Sequence, residues 1–491
     1  MTRPQLEAEV VIVGAGPAGL ACALHLARLL AARQLPADNI FLLEKGRALG
    51  AHLLSGAVMD PRGLAELEPE FATDAALGAV PVSEDALLLM AAERAVRSPI
   101  TPPPLHNHGN SIVALSRLAR WLGAKVEAAG VNIFTAVAGR ELLFEGAHLT
   151  GLRTDDKGLG RDGQPKANFE PGTDIRAPIV VLAEGPRGSL TRELTGHLGL
   201  RGENPQVYSL GVKEIWELPA GRFSMGRVLH TLGWPLAPHL YGGGWIYGLD
   251  HNQVSIGLMT GLEYTDPATD PHDLFQQFKT HPWMRHLLAG GEMQKFGAKT
   301  TPMGGWHAIP PTAGDGWLVI GDAAGFVNSQ RLKGIHLAIK SGMLAAESIF
   351  GAITGEGRLQ DYPDRIAASW IREELWPVRN FHQGFADGLF PGLMHAGLQM
   401  LTRGRGLHAR YEAQPGHERM LPVAQLGPAP PRAVSDNVLT FDKVTNVFHS
   451  GTRHEEDQPN HLLIADLDIC NGRCVREFGN PCQFFCPAQV Y

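Results

Sequence analysis

Residues 10–20, VVIVGAGPAGL, constrain the fold more than any other stretch of the chain. Glu9 to Val13 form a short apolar run rich in β-branched residues, which reads as a buried strand. Gly14, Ala15, Gly16, Pro17, Ala18 and Gly19 follow as a glycine turn, and LACALHLARLLAARQ after them has the apolar spacing of a helix. In such a strand-turn-helix unit the first glycine permits the turn and the second lets a pyrophosphate approach the backbone. The third packs helix against strand, and the anion sits at the helix N-terminus. A second apolar run, NIFLLEK, reaches Glu44, 25 residues after Gly19, where a carboxylate can accept from ribose hydroxyls. Together these predict a dinucleotide-binding α/β domain.

The segment GWLVIGDAAGFVN, from Gly316 to Asn328, selects FAD over NAD. It reads as a buried strand followed by Gly-Asp and small residues, and then by a helical pattern that begins near Gly334. Asp322 can accept from a ribityl hydroxyl, which NAD lacks. Gly325 in the same segment is counted with the cofactor-binding residues, and the positive end of the helix can point at a flavin pyrimidine. A loop aspartate that merely caps a helix is the plainer alternative. Between the two cofactor segments, VYSLGVKEIWEL, GWIYGLD and VSIGLMTGL alternate as strands between glycine-rich turns, predicting a mostly antiparallel inserted domain over about 211–310. Its LYGGGWIYG stretch places Gly242 and Gly243 between aromatic residues. Such glycines mark either a β-bulge or a close backbone approach to a flat ligand carbonyl.

Phe381 to Gly406 carries one acid, Asp387, in a long apolar stretch that ends on Arg403 and Arg405. It is too interrupted to span a bilayer and suits either a membrane-surface segment or a helix packed on the core. No run of 18 or more uncharged apolar residues occurs, and the first residues enter a strand without room for a signal sequence, so secretion and a spanning helix are not expected. The formal charge of -7 gives no basic field for nucleic acid. The proline-rich PVAQLGPAPPRAV separates a C-terminal module, 435–491, which holds four of the five cysteines. One cysteine in the preceding 469 residues argues against a disulfide scaffold and for a reducing compartment.

The motifs VVIVGAGPAGL, GAHLLSGAVMDP, NHGNSIV, DDKGLGRDGQPKANFEPG, HTLGWPL, YGGGWIYGL and SGTRHEEDQPNHL, in this order, resemble the electron transfer flavoprotein-ubiquinone oxidoreductase family. The resemblance implies an α/β, α+β multi-domain flavoenzyme. A Rossmann-like FAD-binding domain would cover 1–210 and 311–420, with an inserted antiparallel ubiquinone-binding domain at 211–310 and an iron-sulfur-type module at 435–491. It implies electron transfer flavoprotein and ubiquinone as partners, and monotopic attachment to one membrane leaflet, here expected on the cytoplasmic face of a bacterial inner membrane. Gly14, Gly16, Gly19, Glu44 and Asp322 fall on its FAD site, Gly242 and Gly243 on its quinone site, and Phe381 to Gly406 on its membrane contact. It calls for no proton-abstracting triad, and no catalytic side chain is assigned.

The family places one [4Fe-4S] ligand at a position matching Cys486 and three in a CxxCxxC motif further on, ahead of which this sequence ends at Tyr491. Three readings follow. The other ligands come from a missing tail or a separate polypeptide; or Cys470, Cys474, Cys482 and Cys486 form a local site for zinc or a cluster; or the first three are free thiols. The first is preferred, so the chain by itself is expected to bind little or no cluster. Two other functions fit the motifs less well: a related FAD oxidoreductase using another donor such as NAD(P)H, for which no second nucleotide motif is found, and a cluster-less flavoprotein that only binds electron transfer flavoprotein.

Overall fold

In the computed structural model, residues 3–53, 56–405, 408–429, 431–453, 455–462 and 464–490 are described. A six-stranded sheet organises the part of the chain that carries the Gly14–Gly19 turn. Its five parallel members are Trp317–Val319, Ile179–Leu182, Val10–Val13, Ile40–Glu44 and Asn132–Thr135, and the short Ala313–Gly314 pairs antiparallel at one edge. Val10–Val13 lies near the middle, buried on both faces, which is why its sequence is continuously apolar rather than alternating.

The helix Pro17–Ala32 begins with proline at its first position and packs against Ile335–Thr354. Cys22 lies in that contact, its thiol pushed up to about 12 by burial, so it is a core residue and not a reactive one. Ile335–Thr354 is long and apolar enough to cross a membrane, but 67% of its apolar window is buried inside the protein, and it serves as a core helix. It ends at Gly355 in the left-handed conformation, the usual C-terminal stop.

A seven-stranded sheet stands beside this part, in the order Glu292–Pro302, Tyr208–Glu217, Gln253–Gly261, Gly242–Gly248, Arg227–Gly233, Glu84–Ala91 and Arg94–Arg97. All neighbours are antiparallel except Arg227–Gly233 with Glu84–Ala91, and the last two strands come from the N-terminal part of the chain. One face is covered by the helices Pro271–Thr280 and Pro282–Leu288, whose Phe275, Phe278 and Met284 bury Val212, Trp216, Ile246 and Ile256. The period-2 alternation sends Gly211, Lys213, Trp245 and Tyr247 to the other face, which lines a cavity.

The C-terminal module contributes the helix Lys443–Ser450 and short turns around the cysteines. It is anchored by a fully buried ion pair. Lys279 Nζ donates to both oxygens of Glu214 at 2.9 Å, and Asn446 and Trp216 donate to the same carboxylate at 2.9 and 2.7 Å.

Candidate functional site

A single cavity of about 2490 Å³ runs between the two sheets and collects most of the residues singled out from the sequence. Gly14, Ala15, Gly16, Pro17, Ala18, Glu44, Asp322, Gly334, Gly242 and Gly243 all line it, whereas Gly19 and Gly325 do not. Gly14 has φ +106°, and an added Cβ would stand 2.5 Å from the Ala183 carbonyl oxygen, so a side chain there is excluded by both backbone and space. Gly19 serves packing: a Cβ would lie 2.0 Å from the Gly14 carbonyl oxygen. A Cβ on Gly16, by contrast, would meet nothing within 4 Å, and Gly16 caps the helix without a side-chain acceptor. Free helix N–H groups facing open space are the donor set that a pyrophosphate requires.

The Glu44 carboxylate ends its strand and accepts from Ala15 N at 3.2 Å and Gly46 N at 2.7 Å, which fixes it beside the glycine turn. Asp322 follows Trp317–Val319 in a single turn. Burial pushes its carboxyl up to about 6, while Lys299 across the cavity pulls the other way. Gly334 is the N-cap of Ile335–Thr354, again without a side-chain cap, so a second helix N-terminus faces the same space. An extended dinucleotide with a polar linker fits these acceptors and two open helix ends.

Gly242–Gly248 forms an uninterrupted ladder with Gln253–Gly261, from Gly242 opposite Thr260 to Gly248 opposite Val254, so the glycine run is not a bulge. A Cβ would lie 2.0 Å from the Met259 carbonyl oxygen at Gly242 and 2.6 Å from that of Thr231 at Gly243. Around this end the cavity becomes apolar, with Tyr241, Phe381, Phe385, Leu393 and Met400 in its wall. The last two belong to the helix Leu389–Thr402, which the sequence marked only as part of a greasy stretch. Gly406, the end of that stretch, lies outside the described residues, as do Leu54, Ser55 and His454 of the quoted motifs.

Sequence reading missed the polar side chains on the sheet face. Lys213 is pushed down to about 8 by burial. His230, hydrogen-bonded to Tyr247 at 3.0 Å, is pushed down to about 3 by burial and by nearby Lys333. The alternation of the strands predicted one buried face but not that it opens on a cavity.

The cysteines do not converge on one point. Cys470 and Cys474 share a π-helical turn and Cys482 opens a short helix. Cys486 is buried, with its Sγ accepting from Val490 N at 3.4 Å, and Pro487 to Val490 line the large cavity. A tetrahedral zinc site needs sulfurs about 3.8 Å apart, given Zn–S bonds of about 2.3 Å. Among the described residues, no three of these sulfurs lie within 4.8 Å of one another. A zinc centre is therefore not assembled among the described residues, and of the four only Cys486 is followed directly by cavity-lining residues.

Residues 208–301 match the ubiquinone-binding family model of ETF-QO, and residues 437–491 match the 4Fe-4S family model of electron transfer flavoprotein-ubiquinone oxidoreductase. Over 500 residues the chain is 37% identical to the mitochondrial electron transfer flavoprotein-ubiquinone oxidoreductase of Arabidopsis thaliana, covering 100% of this chain and 77% of that one. It is 38% identical to the protein of the same name from Homo sapiens over 508 residues, covering 100% of this chain and 82% of the relative. Among solved structures, a geranylgeranyl bacteriochlorophyll reductase-like protein from Thermoplasma acidophilum superposes with a TM-score of 0.58 at 16% identity, covering 82% of this chain and 93% of that one. A flavin-dependent brominase gives a TM-score of 0.53 at 17% identity, covering 82% and 96%. At these identities the two structures show a shared fold.

Proposed function

Since the chain belongs to the electron transfer flavoprotein-ubiquinone oxidoreductase family, we propose that it takes electrons from reduced electron transfer flavoprotein through FAD and passes them to ubiquinone entering from one membrane leaflet. The observation that carries this reading is the continuity of one cavity from the glycine turn and Asp322 to the Gly242–Gly243 pair and the exposed apolar helix.

The residues present fit FAD. The N–H groups after Gly16 would hold its pyrophosphate and Glu44 its ribose. Asp322 would accept from the ribityl chain, and the N-terminus at Gly334 would face the pyrimidine. When bound, FAD supplies a redox group that exchanges electrons singly or in pairs. Gly242 and Gly243 let a flat carbonyl ring approach the backbone, and Tyr241 and Phe385 keep water from it.

FAD and a [4Fe-4S] cluster are the cofactors of this enzyme type, and the 4Fe-4S match spans the C-terminal module. Cys470, Cys474 and Cys482 do not gather with Cys486, so these four thiols by themselves do not form the cluster site. Cys486, next to the cavity wall, is the residue we assign as a ligand.

Membrane contact would fall on Leu389–Thr402. Phe390, Met394 and Leu401 are 73%, 79% and 86% exposed, while Gly392, Ala396 and Gln399 face inward. A helix that lines the cavity with one face and exposes apolar side chains on the other suits quinone entry from lipid. The five free cysteines suit a reducing compartment, in keeping with the cytoplasmic face of a bacterial inner membrane. The deciding experiment is reduction of a ubiquinone analogue by purified protein with reduced electron transfer flavoprotein. Turnover with NAD(P)H instead, or flavin reduction without quinone turnover, would favour the alternative oxidoreductase or the binding-only flavoprotein respectively.

A further inference from the structure

Reducing a quinone to a quinol takes two electrons and two protons, and the electrons alone are accounted for by the partners. Beside Tyr241, at the quinone end of the cavity, His382 Nε2 is hydrogen-bonded to Glu263 Oε1, with the two side chains only 5% and 12% exposed. Glu263 follows the strand Gln253–Gly261, whose last residue donates from N to the Tyr241 carbonyl oxygen at 2.8 Å, so the pair is tied to the strand end that carries Gly242. The His382 and Tyr241 rings meet edge to face with centroids 4.4 Å apart.

Neither His382 Nδ1 nor Glu263 Oε2 has a hydrogen-bond partner among the described residues, although both are buried. Three further buried polar atoms in the same state lie along the adjoining segment: Gln383 Oε1, His395 Nε2 and Gln399 Oε1. His395 packs directly on Gly384, where an added Cβ would stand 2.1 Å from its ring, and Gln399 is on the inner side of the same helix. Buried polar atoms left without partners are costly, so the pair's two free ends and the three atoms on Gln383, His395 and Gln399 call for a function or for ordered water.

Resting on the quinone site assigned above, we propose that Glu263 and His382 form the proton relay of quinone reduction, fed by water in the polar seam beneath the helix Leu389–Thr402. The His382 Nδ1–H bond breaks as a proton passes through one water to a quinone carbonyl oxygen, whose C=O bond becomes C–OH with the electron pair supplied by the enzyme. The neutral imidazole keeps its Nε2–H on the Glu263 carboxylate, which holds the ring in place. Nδ1 is reprotonated from the seam, and a second passage completes the quinol. Tyr241 keeps its own proton, because burial and the Glu263 carboxylate raise its phenol. Glu263 is thus a positioning residue and His382 the proton carrier.

The test uses FAD-loaded full-length protein, reduced electron transfer flavoprotein and a short-tailed ubiquinone analogue, with Glu263→Gln, His382→Gln and His382→Ala. The expected result is a kcat for the quinone lower by about 10²-fold, with KM within about threefold. Flavin reduction by the partner and equilibrium binding of the analogue should be unchanged, and added imidazole should restore most of the loss in His382→Ala. Quinone turnover within about twofold of the parent in both Gln variants would overturn the relay, as would a loss matched by lost analogue binding, or no imidazole rescue. If the unsubstituted protein fails to bind the analogue at all, the quinone site itself is wrong, which is a different failure.

Discussion

Gly14 and Glu44 are the single residues on which the proposed cofactor site turns. Gly14→Ala would place a methyl group 2.5 Å from the Ala183 carbonyl oxygen at a φ of +106°, which misaligns the turn against the neighbouring strand. We expect it to lower both FAD content and stability, by about 1–3 kcal/mol, measured by denaturant unfolding of apo protein. Glu44→Ala removes two backbone hydrogen bonds as well as a ribose acceptor, so FAD should dissociate at lower temperature with the fold retained, as absorbance at the flavin band against circular dichroism would show. The cysteines separate in the same way. With a polypeptide that supplies the CxxCxxC ligands present, Cys486→Ser should lower iron and sulfide content after anaerobic reconstitution, whereas Cys470→Ser and Cys474→Ser should leave the cluster unchanged. Equal losses in all three would restore the local four-cysteine site.

At the scale of an element, the helix Leu389–Thr402 divides its surface between protein and solvent. The face with Gly392, Ala396 and Gln399 is buried, and the opposite one exposes Phe390, Met394 and Leu401. Burial of an exposed large apolar side chain is worth about 1.5–3 kcal/mol, so three of them outweigh the lipid attraction of Arg403 and Arg405. Binding to neutral lipid vesicles should therefore persist in high salt and be abolished by Phe390→Ser combined with Met394→Ser and Leu401→Ser, with solution turnover in detergent retained. Release of the parent protein by salt alone would count against the helix as the contact.

For the whole molecule, the Glu214–Lys279–Asn446 network is the fully buried link among those that join three distant parts of the chain. It links the sheet strand Tyr208–Glu217, the covering helix Pro271–Thr280 and the C-terminal helix Lys443–Ser450. Both charged side chains have no exposed surface, and burial pulls the Lys279 ammonium down against the pull of Glu214. Lys279→Met leaves a carboxylate uncompensated in the core and should cost about 3–5 kcal/mol. Asn446→Leu keeps the ion pair but releases the C-terminal helix. Proteolysis should then cut the linker at 422–434 faster, while the rest of the protein resists as before.

The sequence by itself determined the elements whose signals are local. The β-branched Val10–Val13 run, the Gly14–Gly19 turn, Glu44 at its strand end and Asp322 before the helix at Gly334 are each set by neighbouring residues, and period and turn chemistry expose them. The antiparallel character of the inserted sheet was legible for the same reason. Tertiary structure decided what depends on distant segments meeting. The glycine run at Gly242 is a regular ladder because Met259 and Thr231 press on it from flanking strands. His230 became buried and Lys213 half-buried only when their sheet face closed over the cavity. Glu263 and His382 lie 119 residues apart, and Glu214 and Asn446 lie 232 apart, separations at which no periodicity or motif survives. Side-chain pairing across such distances is fixed by packing, and it is there that the candidate relay and the docking of the C-terminal module arise.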